Sequence, residues 1–202
     1  LGNLPNTLDG AYKLANAGFA HPLQFVDVQG EESTPTAFFY QNLAEAEYIV
    51  SVYQYMRMCG YPAEKISILT TYNGQKHLLR DVINQRCTNH PLFGAPAKVT
   101  TVDKYQGQQN DFVLLSLVRS KTVGHLRDVR RMVVAFSRAR YGLYVFGNHA
   151  LFSECFELAP AFVTIEKYPT ELELCVGEKY GACERSTSET GEKTVVADGD
   201  AM

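Results

Sequence analysis

Three arginines stand out by their spacing: Arg127, Arg131 and Arg138. On a helix from about Asp128 to Arg138, a step of ~100° per residue brings them to within about 40° of one another. Val129, Met132, Val133, Ala135, Phe136 and Ala139 then form an apolar arc on the opposite side. Guanidiniums gathered on one face repel unless an anion joins them, and their planar fork matches phosphate oxygens. The face is therefore a phosphate site or a solvated basic face. Arg140 falls inside the apolar arc, either at a frayed helix end or against a buried carbonyl. A second constellation is the polar loop Thr100–Asp111, TTVDKYQGQQND. Gly107 would let a ligand approach the backbone, and Gln106, Gln108 and Gln109 offer donors and acceptors; the alternative is a simple polar turn. The third is LTTYNGQ, Leu69–Gln75. There Thr70 could bond a phosphate and Tyr72 stack on a base, or the segment is a capping turn with Tyr72 in the core or at its rim.

The elements that must position these residues follow from hydrophobic periodicity. Leu23–Val28 alternates like a strand and ends in a turn-prone Gln-Gly-Glu-Glu. Asn42 with Glu45 three residues on is a capping-box start, and Leu43, Ala46, Ile49, Val50, Tyr53 and Met56 recur at helical spacing until Gly60-Tyr-Pro62. Ile66–Thr71 is a short strand, followed by a helix capped by Asn73 and buried through Leu78, Leu79, Val82 and Ile83. Lys98–Val102 is a third strand. Phe112–Val118 is the near-continuous apolar run of a strand covered on both faces. The helix over 128–138, a strand over Tyr141–Phe146 and a short helix over 149–156 complete the series. Strands alternating with helices predict a parallel α/β sheet flanked by helices. The two polar loops leave strand ends, where open sheets of this class bind ligands.

Composition narrows the alternatives. The chain has 202 residues, 46% hydrophobic and 20% charged, the profile of an ordinary globule. It has no apolar run near the ~20 residues of a membrane span, so no membrane partner is expected, and no leader pattern opens it. Five cysteines, widely spaced and without a CxxC, argue against a disulfide framework or a metal site and suit a reducing compartment. The net charge of −3 is uneven. Residues 171–202 hold eight acids and three bases, whereas residues 119–140 hold seven bases and one acid. A local basic cluster in a near-neutral chain points to an anionic ligand. The expected organisation is an irregular lead-in over 1–22, a folded domain over 23–165, and an acidic tail over 166–202. The Ser, Thr, Glu and Gly of that tail predict disorder. The chain opens on Leu1, as expected of a segment of a longer protein.

Taken in order, TTYNGQ, TTVDKYQG and VRRMVVAFSRARYGLYVFGN resemble motifs IV, V and VI in the second RecA-like domain of superfamily 1 helicases, of the type of the nonsense-mediated-decay helicase. The helix start Asn42-x-x-Glu45-Ala46 fits the same group. EAEYIVSVY, YQGQQND and GHLRDVRR resemble, more narrowly, the intron-binding spliceosomal RNA helicases. The resemblance covers about residues 23–160. It implies a P-loop NTPase fold without its own P-loop, a second motor domain that completes an ATP site with the first RecA-like domain of the same protein. ATP and Mg²⁺ are the implied cofactors, with the metal held mainly by that first domain. Arg138 of SRAR would be the arginine finger, with Arg131 as helper; Gly107, Gln109, Arg138 and Arg140 would lie at the nucleotide. Many relatives carry Glu where Gln109 stands. Thr70, Tyr72 and Thr101 would meet single-stranded intron RNA, and spliceosomal proteins in the nucleus would be partners. Two other readings compete: a non-catalytic RecA-like module binding RNA or protein, and a related helicase acting on DNA or in messenger RNA decay. The chain contains no GxxxxGK[ST] after a strand and no DExx-type box ahead of these motifs; Gly191-Glu-Lys-Thr194 mimics a P-loop only superficially. On this reading the chain supplies half of an active site.

Overall fold

The computed structural model describes residues 13–189 and 191–196. Residues 1–12 of the expected lead-in, and 190 and 197–202 of the expected tail, lie outside the described residues. Five strands build the main sheet: β1 (Leu23–Asp27), β2 (Ile66–Thr70), β3 (Lys98–Thr101), β4 (Asn110–Ser116) and β5 (Ala139–Gly147). Their order is β1-β5-β4-β2-β3 and every pairing is parallel. Helices α1 (Leu43–Met58) and α2 (Asn73–Ile83) cover one face, against Val26, Ile66, Ile68, Leu114, Tyr144 and Phe146. The other face, with Phe25, Leu69, Val113, Leu115, Leu143 and Val145, is covered by α3 (Val129–Phe136), α4 (His149–Ser153) and α5 (Ala159–Ile165).

The division follows from the handedness of parallel crossovers. From β1 to β2 to β3 the chain moves across the sheet in one direction; from β3 to β4 to β5 it returns. Right-handed connections must then lie on opposite faces. At the C-terminal ends of the adjacent strands β2 and β4 the two directions diverge. That opens the crevice in which doubly wound sheets place ligands.

Helix α1 starts as its sequence predicts. Asn42 is extended (φ −136°) and its side chain accepts the Glu45 N–H at 3.1 Å. Glu45, however, does more than complete a cap. Its fully buried carboxyl accepts from the Ser116 hydroxyl (2.5 Å) and from the Val118 N–H (3.0 and 2.9 Å), tying α1 to the end of β4. Val118 has φ +76°, and the Arg119 N–H donates back to the Leu117 carbonyl at 2.9 Å. This three-residue turn has the rare, strained φ of a γ-turn, here at a β-branched residue.

Several expectations need correction. Asn73 is the first helical residue of α2 rather than its cap; Tyr72 stands at the cap position, and the Asn73 side chain accepts from Lys76 Nζ at 3.0 Å. Helix α3 ends at Phe136, so Arg138 lies beyond it, and Arg127 belongs to the preceding 3₁₀ turn Gly124–Arg127. Arg140 is in strand β5. The short helix expected over 149–156 is α4, which ends at Ser153; a 3₁₀ turn, Phe156–Leu158, and α5 follow it. The described residues of the expected acidic tail, 166–189 and 191–196, form a segment with regular structure. It contains β6 (Leu172–Leu174) and β7 (Thr194–Val196), an antiparallel pair. Leu172, Leu174 and Val196 join the core on the α1 face, and Tyr48 donates its hydroxyl to the Val196 carbonyl at 2.8 Å. Apolar density is low here, yet Leu172, Leu174, Cys175 and Val196 are all buried, while Val176 and Val195 stay exposed. Two of the segment's acids are paired: Glu173 with His21 and Lys193, and Glu178 with Arg185.

Burial raises the Glu45 carboxyl from its ordinary 4.5 to about 8. The folded chain therefore keeps a proton that the unfolded chain releases. The resulting stability is full below about pH 4.5 and is lost as pH rises through about 8, with a slope of at most ~1.4 kcal/mol per pH unit. Thermal unfolding across that range should show a falling Tm that Glu45→Gln flattens; an unchanged slope in the variant would refute the assignment.

Candidate functional site

The candidate residues divide between the two edges of the main sheet. At the C-terminal edge lie the ends of β2, β3 and β4, and the crevice between β2 and β4 is filled by a side chain that sequence reasoning passed over, Arg119. It is 8% exposed. Its Nε donates to Glu32 Oε2 (2.8 Å), Nη1 to the Tyr72 hydroxyl (3.2 Å) and Nη2 to Thr122 Oγ1 (2.5 Å), while its guanidinium lies 4.1 Å from the Tyr40 ring centroid. Gly124 admits this arrangement, because a Cβ there would meet Arg119 Nη1 and the Tyr72 hydroxyl. Burial disfavours the Glu32 charge, but the Arg119 guanidinium and the Ser120 and Lys121 N–H groups outweigh it and hold the carboxyl below its usual range. The one available signal was a lone arginine immediately after the buried run 112–118.

This packing changes what the edge can offer a ligand. Thr70 is completely buried and Thr101 nearly so. Tyr72 is 7% exposed, enclosed by Tyr40, Arg119 and His125, so its ring is no open platform for a base. Strand alternation explains the threonines: with Thr70 turned inward, Thr71 turns outward, half-buried, its hydroxyl donating to the Leu117 carbonyl at 3.3 Å. Thr71, Asn73, Asp103, Lys104 and Lys121 are the groups this edge leaves accessible. Arg131 is here too, 4.0 Å from Asp103, with His125 nearby; burial, aided by the Arg131 charge, lowers the His125 pKa.

Arg138 is at the other edge. Arg127 precedes α3 and Arg138 lies beyond its end, so only Arg131 of the three stands on the helix and the expected three-arginine face does not form. Arg127 is turned to Glu157 at 3.5 Å. The Arg138 guanidinium folds back over the end of α3, donating from Nε to the Val134 carbonyl (2.8 Å), from Nη1 to the Gln108 carbonyl (3.1 Å) and from Nη2 to Ser137 Oγ (2.7 Å). The structure thus brings Arg138 together with the Gly107–Gln109 segment. Gly107 has φ +76° and open space where a Cβ would stand, and Gln109 is exposed. All three Arg138 acceptors are neutral, so an anion could replace them without breaking an ion pair. Arg140 is exposed and faces Asp111 at 3.4 Å; Asp111 also receives Lys65 at 3.3 Å. These three line a cavity of about 420 Å³ walled by Tyr61, Phe112 and Tyr180. Between the edges runs the segment 102–109. It leaves β3 at the C-terminal edge through a 3₁₀ turn, Asp103–Tyr105, and enters β4 at the opposite one.

The side chains of the Arg119–Glu32 pair are buried, and the Ser120 and Lys121 N–H groups on Glu32 do not replace the guanidinium charge, so Arg119→Met should cost about 3 kcal/mol by stranding Glu32. Adding Glu32→Met should recover most of that loss, as read by denaturant unfolding; equal losses in the single and double variants would contradict the pairing.

A family model described as an AAA domain matches residues 9–150 of the chain. RNA helicase aquarius of Mus musculus is 57% identical over 185 residues, covering 89% of this chain and 12% of that protein. Pre-mRNA-splicing factor cwf11 of Schizosaccharomyces pombe is 41% identical over 170 residues, 82% of this chain and 13% of that protein. A helicase required for RNAi-mediated heterochromatin assembly, from the same yeast, is 42% identical over 116 residues, 56% of this chain and 11% of that protein. The chain spans only about an eighth of the length of the first two. The model match covers more than half of the chain and takes in the parallel sheet with both motif-bearing edges. The chain belongs to the AAA-domain family, as the second RecA-like domain of a superfamily 1 helicase.

Proposed function

We propose that this chain is the C-terminal motor domain of an ATP-dependent RNA helicase that acts on intron RNA in pre-mRNA splicing, in the nucleus. The observation that carries the reading is the division of labour between the two sheet edges. One presents Arg138 beside the flexible Gly107–Gln109 backbone, and the other presents Thr71 and Lys104 around the Arg119 crevice. The names of the two relatives covering most of the chain, an RNA helicase and a splicing factor, supply the setting.

In this reading Arg138 is the arginine finger. Its guanidinium leaves the Gln108 carbonyl and extends toward the first RecA-like domain of the same protein, where it stabilises charge developing on a transferring phosphoryl group. ATP with Mg²⁺, held mainly by that first domain, supplies the phosphoanhydride to be cleaved. Gly107 keeps the approach clear, and Gln109 can hydrogen-bond a ribose without adding charge. Arg140, paired with Asp111, flanks the same edge. In this reading Arg131, beside Asp103 and His125, acts as a positioning residue of the RNA-facing edge rather than as the helper. Thr70, Tyr72 and Thr101 shape that edge from beneath, and Thr71 and Lys104 make the contacts. The segment 102–109 touches both ends, so a shift of Gly107 on phosphate release moves the base of the RNA-facing edge. Spliceosomal proteins are the partners in this setting.

In the full-length protein, Arg138→Ala should lower RNA-stimulated ATP turnover by about 10³-fold or more, as loss of an arginine finger does, with RNA affinity retained. Wild-type turnover in that variant would favour a RecA-like module that binds without catalysis. Stronger stimulation of turnover by single-stranded DNA than by RNA would move the chain to a DNA-directed helicase.

A further inference from the structure

Between β1 and α1 the chain makes a turn that folding alone does not explain. The Phe39 N–H donates to the Thr36 carbonyl at 3.0 Å, closing a four-residue turn whose third residue is Phe38. Phe38 has φ +62°. Glycine or asparagine ordinarily occupies such a position, and a bulky side chain there is an outlier. Yet the ring is 88% exposed and stacks on no other ring among the described residues. Nothing in the core compensates for its conformation, and an outlier of that kind points toward function.

The turn is firmly held. Ser33 and Gln41 exchange both backbone hydrogen bonds, at 2.7 and 2.9 Å. Phe39 stacks on His77 (5.8 Å between centroids, 25°), and Tyr40 lies over Arg119. Gly74, at the start of α2, lets the Tyr40 carbonyl approach where a Cβ would collide with it. The Gln41 side chain donates to the Gly74 carbonyl at 3.2 Å. Three successive aromatic residues thus have three fates: Tyr40 turns inward, Phe39 lies along α2, and Phe38 points out.

The turn leaves the C-terminal end of β1, on the same sheet edge as Thr71. Phe39 packs on His77 of α2, a helix that also carries Lys76, buried with its Nζ donating to Asn73, and the exposed Arg80. The residues before Phe38 in the turn are Ser33, Thr34, Pro35, Thr36 and Ala37, so the ring stands alone rather than in the contiguous apolar face of a protein-docking surface. A single exposed ring on the edge that also presents Lys104 matches a base and its phosphate. We propose that Phe38 is a stacking platform for one unpaired base of a single-stranded nucleic acid crossing this edge, an inference that rests on the proposal that the edge faces RNA.

The test uses the full-length protein and a fluorescein-labelled single-stranded RNA of mixed sequence. Phe38→Ala should weaken binding roughly tenfold and Phe38→Trp should restore it. Phe38→Gly should weaken binding equally while leaving Tm unchanged or raised, because glycine relieves the backbone strain. Lys104→Ala monitors the edge itself. A loss of affinity in Lys104→Ala with none in Phe38→Ala overturns the stacking and spares the RNA-facing edge. Failure of the wild-type protein to bind RNA overturns both. A lowered Tm in Phe38→Gly, or unchanged RNA affinity in Phe38→Ala with loss of a protein contact, overturns the stacking as well.

Discussion

One buried carboxyl organises the functional end of this domain. Glu45 stands in the first turn of α1, yet its hydrogen bonds go to Ser116 and Val118 at the end of β4. Through them it holds Val118 in a conformation that a β-branched residue does not otherwise adopt. Strain of this kind costs roughly 1–3 kcal/mol and persists only where surrounding bonds over-determine it. The tight turn directs Arg119 back into the crevice between β2 and β4 instead of out to solvent. Asn42 extends the same arrangement: its N–H donates to Gln75 Oε1 at 2.7 Å and its carbonyl accepts from Gln75 Nε2 at 2.9 Å, joining the starts of α1 and α2. The C-terminal edge of the sheet is therefore built from three chain segments tied together by polar groups without access to water.

The second constraint is the reversal of direction within the sheet. Because β3, β4 and β5 run parallel, the polar segment 102–109 must travel from one edge to the other, and α3 does the same between β4 and β5. Two short connectors thus have one end at each candidate site. Tyr105 anchors the first in the core, sharing a 3.1 Å hydrogen bond with Ser67. Met132 and Ala135 anchor the second. Both move with the sheet, so a displacement at the Arg138 end is not absorbed locally.

The elements themselves were legible in the sequence because each has an unambiguous period or a strong boundary. The helical spacing from Leu43 to Met56 and the Asn42–Glu45 cap lie where expected, and the apolar run 112–118 falls on β4, which spans Asn110–Ser116. Local chemistry was less legible. A helical wheel gives angles but not endpoints, so extending it past Phe136 produced an arginine face that the chain does not form. Side-chain alternation at Thr70–Thr71 could be read as a pair facing one edge, but not as to which threonine faces out. In the C-terminal stretch, composition concealed that a handful of apolar residues and oppositely charged pairs suffices to dock two short strands.

The amino-acid sequence by itself determined the alternation of strands and helices, the polar loops at strand ends and the motif order that marks the domain. These depend on residue types at short spacing, where periodicity and capping act. Only the tertiary structure decided that Arg131 and Arg138 serve opposite edges, that Arg119 fills the crevice, and that Phe38 stands exposed in a left-handed turn. Each of those outcomes depends on hydrogen bonds or steric limits between residues far apart in the chain, where no local pattern carries the information.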